Sequence, residues 1–205
     1  RTARSPHRVV PRVGRPMNPE GVARRATVIG SGHVAAAIAQ RLREEGDIVT
    51  VVPTAEAVAN LERQRSSVVV ISCLDGGGPV SVEELNRLCE AAAVSCDAGV
   101  DSRVAVIADA RALRGFVADP NAAALHTSVL GVIRRLARIH AATGATFNAI
   151  YAGPTHESDT VPGMVIDRIA LPEEIAHAAW IAVAPFSGFM TGTLLMADGG
   201  LSLGH

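Results

Sequence analysis

The sequence predicts an α/β protein built on one doubly wound parallel sheet of about six strands. Three observations predict it. Short runs of β-branched residues alternate with stretches whose apolar residues recur at helical spacing. The composition, 48% hydrophobic and 3% aromatic, is that of a core made from Ala, Val, Ile and Leu. A glycine-rich turn joins the first strand to the first helix, the place where open α/β sheets bind phosphate. At 205 residues the chain is long enough for one domain with a full core, which we place over 26–205.

The elements follow in order. Ala26-Thr27-Val28-Ile29 is a buried strand running into Gly30-Ser31-Gly32-His33-Val34-Ala35, and a helix continues through Ala36 to Glu45. G-x-G-x-x-A between a strand and a helix is the phosphate turn of a Rossmann unit: its glycines allow the tight turn, and the helix N-terminus favours a pyrophosphate. Gly30, Ser31, Gly32 and His33 are therefore candidate cofactor residues. A tight turn that only packs a helix is the competing reading, and His33 is equally a residue pointing at solvent. Gly46 ends the helix and Ile48 to Val52 forms the second strand. A dinucleotide enzyme places an acid or Arg after it to hold the ribose; here stand Pro53 and Thr54, with Glu56 better placed to complement a helix start. Thr54 reads as the N-cap of a helix over Ala55 to Gln64.

The strand Val68 to Ile71 follows directly and leads into Ser72-Cys73-Leu74-Asp75-Gly76; the crossover rule permits it beside the first strand or at an edge. Gly76-Gly77-Gly78-Pro79 is a loop, and Ser81 with Glu83 and Glu84 opens a helix running to about Ala93. Arg103 to Ala108 is a strand ending at Asp109. From Asn121 to about Ala142 apolar residues at Leu125, Val129, Val132, Ile133 and Leu136 mark a long helix, which Gly144 stops. A β-rich run, Ala145 to Ile150, precedes Tyr151 and the turn Gly153-Pro154, with Thr155, a further candidate cofactor residue, just beyond. The segment from Thr155 to Leu171 has Gly163 and two prolines in or beside it, so we expect it short and irregular. Pro172-Glu173-Glu174 opens the last helix.

Three of these stretches resemble the short-chain dehydrogenases/reductases. Thr146-Phe147-Asn148-Ala149-Ile150-Tyr151-Ala152-Gly153-Pro154 is similar to the strand that follows that family's catalytic helix. Val68-Val69-Val70-Ile71 with Ser72-Cys73-Leu74-Asp75-Gly76 is similar to its D-x-L-V-N-N-A-G, with Ser72-Cys73 at the two Asn. The closing Thr191-Gly192 through Asp198-Gly199-Gly200 matches its T-G-x-x-x-x-x-D-G-G. The resemblance implies a Rossmann-like sheet with strands in the family order 2-1-4-5-6-7. The family's third strand is missing and its substrate lid reduced, because a single helix separates the second strand from Val68. It also implies bound NAD(P), though weakly, since the ribose anchor is absent.

In that family a Ser, a Tyr and a Lys four residues later move the proton while hydride is exchanged with a nicotinamide. Counting from Asn148, the Tyr position is Ala122 and the Lys position His126, and Asp109 stands in the Ser position. All nineteen basic residues are Arg, so no shift of alignment restores the Lys. The single tyrosine, Tyr151, follows the strand. Asn86 matches the family's helix Asn, which holds a relay water, or is an ordinary surface residue.

Three functions follow as expectations. The first is a non-catalytic subunit that pairs with an intact short-chain reductase, within a homo- or hetero-oligomer. The second is an NAD(P)-dependent enzyme with relocated chemistry, using His126 with Asp109 or Tyr151. The third is a cofactor- or metabolite-binding module. The small-residue face Ala122, Ala123, Ala124, Thr127, Ser128 and Gly131 suits the long helix to a subunit interface.

Residues 1–25 carry seven Arg and one acid, and the rest 12 Arg against 19 acids. The basic tail reads as solvated rather than as a nucleic-acid arm; it also resembles a transit peptide, with Met17 as an alternative start. We expect a cytoplasmic protein: no apolar run is long enough for a membrane helix and no secretory signal is evident. Cys73, Cys89 and Cys96 form no C-x-x-C pair and read as buried thiols. His156-Glu157-Ser158-Asp159 has no ligand pair at helical spacing and reads as a solvated loop, so no metal is expected.

Overall fold

The computed structural model describes residues 23–74, 77–96, 102–156 and 161–203. Residues 1–22 of the basic tail and the Glu157-Ser158-Asp159 part of the polar loop lie outside the described residues, whereas Arg25, expected in the tail, belongs to the first strand. A six-stranded all-parallel sheet has the order β2-β1-β3-β4-β5-β6. The strands are β1 (Arg25–Ile29), β2 (Ile48–Val52), β3 (Val68–Ser72), β4 (Arg103–Asp109), β5 (Thr146–Ala152) and β6 (Leu194–Ala197). The helices are α1 (Gly32–Glu44), α2 (Thr54–Arg63), α3 (Val82–Ser95), α4 (Pro120–Ile139) and α5 (Pro172–Val183). Val68 to Ile71 thus lies inside the sheet, registered Ala26 to Val68 and Val68 to Arg103. With the family's third strand absent, β2 is left as an edge.

Period-two alternation divides the strands between two cores. Val69 and Ile71 of β3 and Val104 and Val106 of β4 face α2, α3 and α4, meeting Leu61, Leu85, Leu88, Val129, Ile133 and Leu136. Their neighbours Val68, Val70, Ala105 and Ile107 face α1 and α5, meeting Val34, Ile38, Leu42, Ile175 and Val183. Both faces are dry, so β3, β4 and β5 are buried at every position. That explains why they read as unbroken apolar runs.

Local chemistry sets the helix starts, with two departures from the sequence reading. Helix α1 begins at Gly32, inside the glycine motif and not after it. Pro53 occupies the N-cap of α2, and the Thr54 hydroxyl donates to the Gly77 carbonyl at 2.7 Å, not to its own helix. Ser81 caps α3 by accepting from the Glu84 N–H at 3.1 Å, while Glu84 accepts from the Val80 N–H at 2.9 Å. Asp119 caps α4 by accepting from the Ala122 N–H at 2.7 Å, with Pro120 fitting the first turn. That helix ends at Ile139, followed by a 3₁₀ turn over Ala141–Thr143 that Gly144 closes at φ +80°.

Asn148, fully buried on β5, binds the last strand to the sheet. Its Nδ2 donates to the Met190 carbonyl at 2.9 Å, and its Oδ1 accepts from the Thr193 N–H at 3.2 Å. An amide can do both at once, which a carboxylate or an aliphatic residue cannot.

Candidate functional site

The carboxyl ends of β3, β4 and β5 surround a cavity of about 480 Å³. Cys73, Asp109, Ala122, His126, Thr155 and His156 are among its lining residues, together with Arg111, which the sequence reading did not single out. Four of the sequence-predicted residues, Asp109, Ala122, His126 and Thr155, are therefore brought together. Gly30, Ser31, Gly32 and Tyr151 do not line this cavity, and neither does His33.

The floor is a charge-neutral clasp. Asp109 ends β4, and its carboxylate accepts from the Arg111 N–H at 2.8 Å. The same carboxylate takes the Arg111 guanidinium in a fork, Nε at 2.9 Å and Nη2 at 2.7 Å. A two-residue separation suffices because the chain turns into a 3₁₀ helix over Ala110–Arg114. The acid in the family's Ser position is thus paired on both oxygens.

His126 on α4 is held at both ends. Its ring Nδ1 accepts from the Asp109 backbone N–H at 3.2 Å, and its carbonyl accepts from the Tyr151 hydroxyl at 2.6 Å. An Nδ1 that accepts leaves the proton on Nε2, so the neutral ring is a donor. Burial pushes the pKa of His126 below its ordinary value; the Asp109 charge opposes this and that of Arg111 adds to it. A cationic imidazole standing in for Lys is thereby disfavoured at neutral pH. Tyr151 is fully buried, and burial raises its pKa. Its hydroxyl is a strut between β5 and α4.

The D-G-G motif stands behind the Gly153-Pro154 turn and does not line the cavity itself. Asp198 is buried, and its carboxylate accepts from the Gly200 N–H at 3.0 Å and the Ser202 N–H at 2.8 Å. This fold brings Asp198 against Gly153: a side chain on Gly153 would come within 3.0 Å of the Asp198 Cα. The closing motif therefore serves the site by holding the Gly153-Pro154 turn in place. Beyond it, residues 161–171 hold no helix or strand, as the prolines predict.

The glycine turn lies apart from the cavity. Gly30 takes φ +131° and packs on the end of β3, where a side chain would approach the Ser72 carbonyl to 3.1 Å. Gly77 packs on the turn itself: a side chain there would meet the Ser31 hydroxyl and come within 2.5 Å of the Ser31 nitrogen. The imidazole of His33 meets that of His156 edge-on, with ring centroids 4.4 Å apart. A pyrophosphate on this turn needs the space over the Ser31 nitrogen that Gly77 fills, and Pro53-Thr54 offers no charged group to a ribose. The residues present do not fit a dinucleotide in this conformation.

Elsewhere, Asn86 spends its amide on the Val82 carbonyl at 3.1 Å and accepts from Arg135 at 3.3 Å, so it is part of the α3–α4 surface. Among the described residues no group of three or more His, Cys, Asp or Glu is arranged to hold a metal ion. No described helix is long and apolar enough to cross a membrane.

The fold is that of the short-chain dehydrogenases/reductases. The short-chain dehydrogenase/reductase of Serratia marcescens superposes with a TM-score of 0.69 at 23% identity, covering 87% of this chain and 97% of that one. BdcA, solved in complex with NADPH, superposes with a TM-score of 0.61 at 21% identity, covering 86% and 93%. No family model matches the chain. Among curated proteins it is similar to the (2S)-[(R)-hydroxy(phenyl)methyl]succinyl-CoA dehydrogenase subunit BbsC of Thauera aromatica. The two are 32% identical over 109 residues, 49% of this chain and 43% of that one, so this chain spans under half the length of that relative.

Proposed function

We propose that the chain is a non-catalytic subunit that assembles with a catalytically intact short-chain reductase. The observation that carries this reading is the state of the three proton-handling positions. Ala122 has no hydroxyl, His126 is buried and neutral, and Asp109 is neutralised by Arg111. What supports them is intact: the six-strand sheet, the Asn148 lock and the Asp198 turn packed on Gly153. The curated relative is itself described as a subunit of a dehydrogenase, which supports the same reading.

The test is to tag the chain in its native host and to identify what purifies with it in stoichiometric amount. The expected partner carries the Tyr-x-x-x-Lys pair. NADPH oxidation over a panel of ketones should appear in the mixture and be absent from the chain alone. Turnover by the chain alone would overturn the proposal.

One observation favours a second reading, an enzyme with relocated chemistry. The Nε2–H of His126 is free to donate to a carbonyl oxygen in the cavity. In that case His126 would be the acid, and His126→Gln would abolish whatever turnover the isolated chain shows.

A further inference from the structure

The geometry points to Gly77 and Thr54 as specificity-determining residues that close the phosphate and adenosine half of the crevice against dinucleotides and leave the cavity in front of His126 open to ligands. Two independent contacts place the segment there. Gly77 packs on the Ser31 nitrogen, the atom a pyrophosphate would approach, so closely that no side chain fits between them. Its carbonyl accepts from the Thr54 hydroxyl at 2.7 Å, and Thr54 stands just past the end of β2, where a ribose would be held. One short piece of chain thus bridges the two subsites that an extended nucleotide must occupy together.

The anchoring on the other side is equally close. Gly78 packs on the end of β3, and a side chain there would come within 2.6 Å of the Cys73 Cα. Gly77 and Gly78 lie flat in the crevice because neither has a side chain to lift the backbone away. The cavity of about 480 Å³ begins on the far side of Gly78, and none of Ser31, Pro53 and Thr54 lines it. Its ligand is accordingly a compact molecule bearing an acceptor oxygen for the His126 Nε2–H. This inference concerns the isolated chain and holds whether or not a partner subunit is found.

The test uses the full chain with NADPH and with ADP-ribose, which lacks the nicotinamide and so reports on the closed half alone. Titration calorimetry of the unmodified chain should show neither ligand binding below millimolar concentration. In Gly77→Ala the new methyl cannot remain against the Ser31 nitrogen, the segment is displaced, and both ligands should gain about tenfold or more in affinity. Thr54→Val keeps the shape and removes only the tether, so its gain should run in the same direction at about fivefold. It stands as the measurement if Gly77→Ala fails to fold by circular dichroism. Micromolar binding of either ligand to the unmodified chain, or no gain in the folded variants, would overturn the assignment.

Discussion

Restoring the missing residues one at a time tests whether the site is an enzyme with a repairable defect. In His126→Lys the Asp109 N–H loses the ring nitrogen that accepts it at 3.2 Å, and an ammonium enters a position only 7% exposed. An orphaned buried donor costs about 1–3 kcal/mol, and the Arg111 guanidinium alongside adds repulsion, so a total of about 2–4 kcal/mol is expected. For a chain of this size that lowers Tm by about 4–16 °C. Ala122→Tyr places a phenol at a half-buried position lining the cavity, with the neutral His126 and not a Lys one turn on, so the family's means of lowering its pKa is missing. Neither variant alone should oxidise NADPH with any ketone, because groups that act as a unit fail as a unit. The assays are differential scanning calorimetry and NADPH absorbance at saturating ketone. Turnover by either single variant, or an unchanged Tm in His126→Lys, would refute the reasoning.

Further outcomes are expected. Because the folded pKa of His126 lies below its ordinary 6.5, the unfolded chain takes up the proton first. Its contribution to stability is therefore complete above about pH 6.5 and falls as the pH drops toward the folded value, a decline that His126→Gln should flatten in denaturant titrations. Asn148→Ala strands the Met190 carbonyl and the Thr193 N–H and should cost about 2–4 kcal/mol by urea unfolding. Burial pushes the Cys73 thiol up to about 12 and the Cys96 thiol to about 11, so iodoacetamide at pH 8 should leave both unlabelled by mass spectrometry until the chain is denatured. The Arg168 guanidinium holds the Glu174 carboxyl at about 2, so the help it gives is present above about pH 4.5 and lost as pH falls toward 2; in so exposed a pair Glu174→Gln should cost under about 1 kcal/mol.

Sheet and helices were legible because burial on both faces of β3, β4 and β5 writes itself as uninterrupted apolar runs, and because Gly46 and Gly144 punctuate helix ends. The gathering of Asp109, Ala122, His126 and Thr155 at one cavity was legible through the family motifs. What stayed hidden were contacts between residues distant in the chain. Thr54 has the residue type of an N-cap, yet its hydroxyl finds a carbonyl 23 residues away. Asp109 reads as a free acid until the following turn brings Arg111 onto it. Tyr151, the one tyrosine, is a natural candidate for an acid, and only the packing of β5 against α4 shows its hydroxyl spent on a carbonyl. Glycines 77 and 78 read as loop filler, since no spacing rule reveals how closely a backbone approaches another.

The strand order also bears on how the chain assembles. Of the five pairings in the sheet, four join strands consecutive in sequence: β1 with β2, β3 with β4, β4 with β5 and β5 with β6. Only β3 must pass over β2 to reach the other side of β1. As the chain leaves the ribosome, each new strand therefore meets an edge that is already waiting, and the single long-range search is confined to the first half. With α2 alone between β2 and β3, that search spans one helix. Growth then proceeds toward β6, whose docking waits on Asn148 and comes last, so a nascent chain cut short before Thr193 should expose the edge of β5 to whatever strand is at hand.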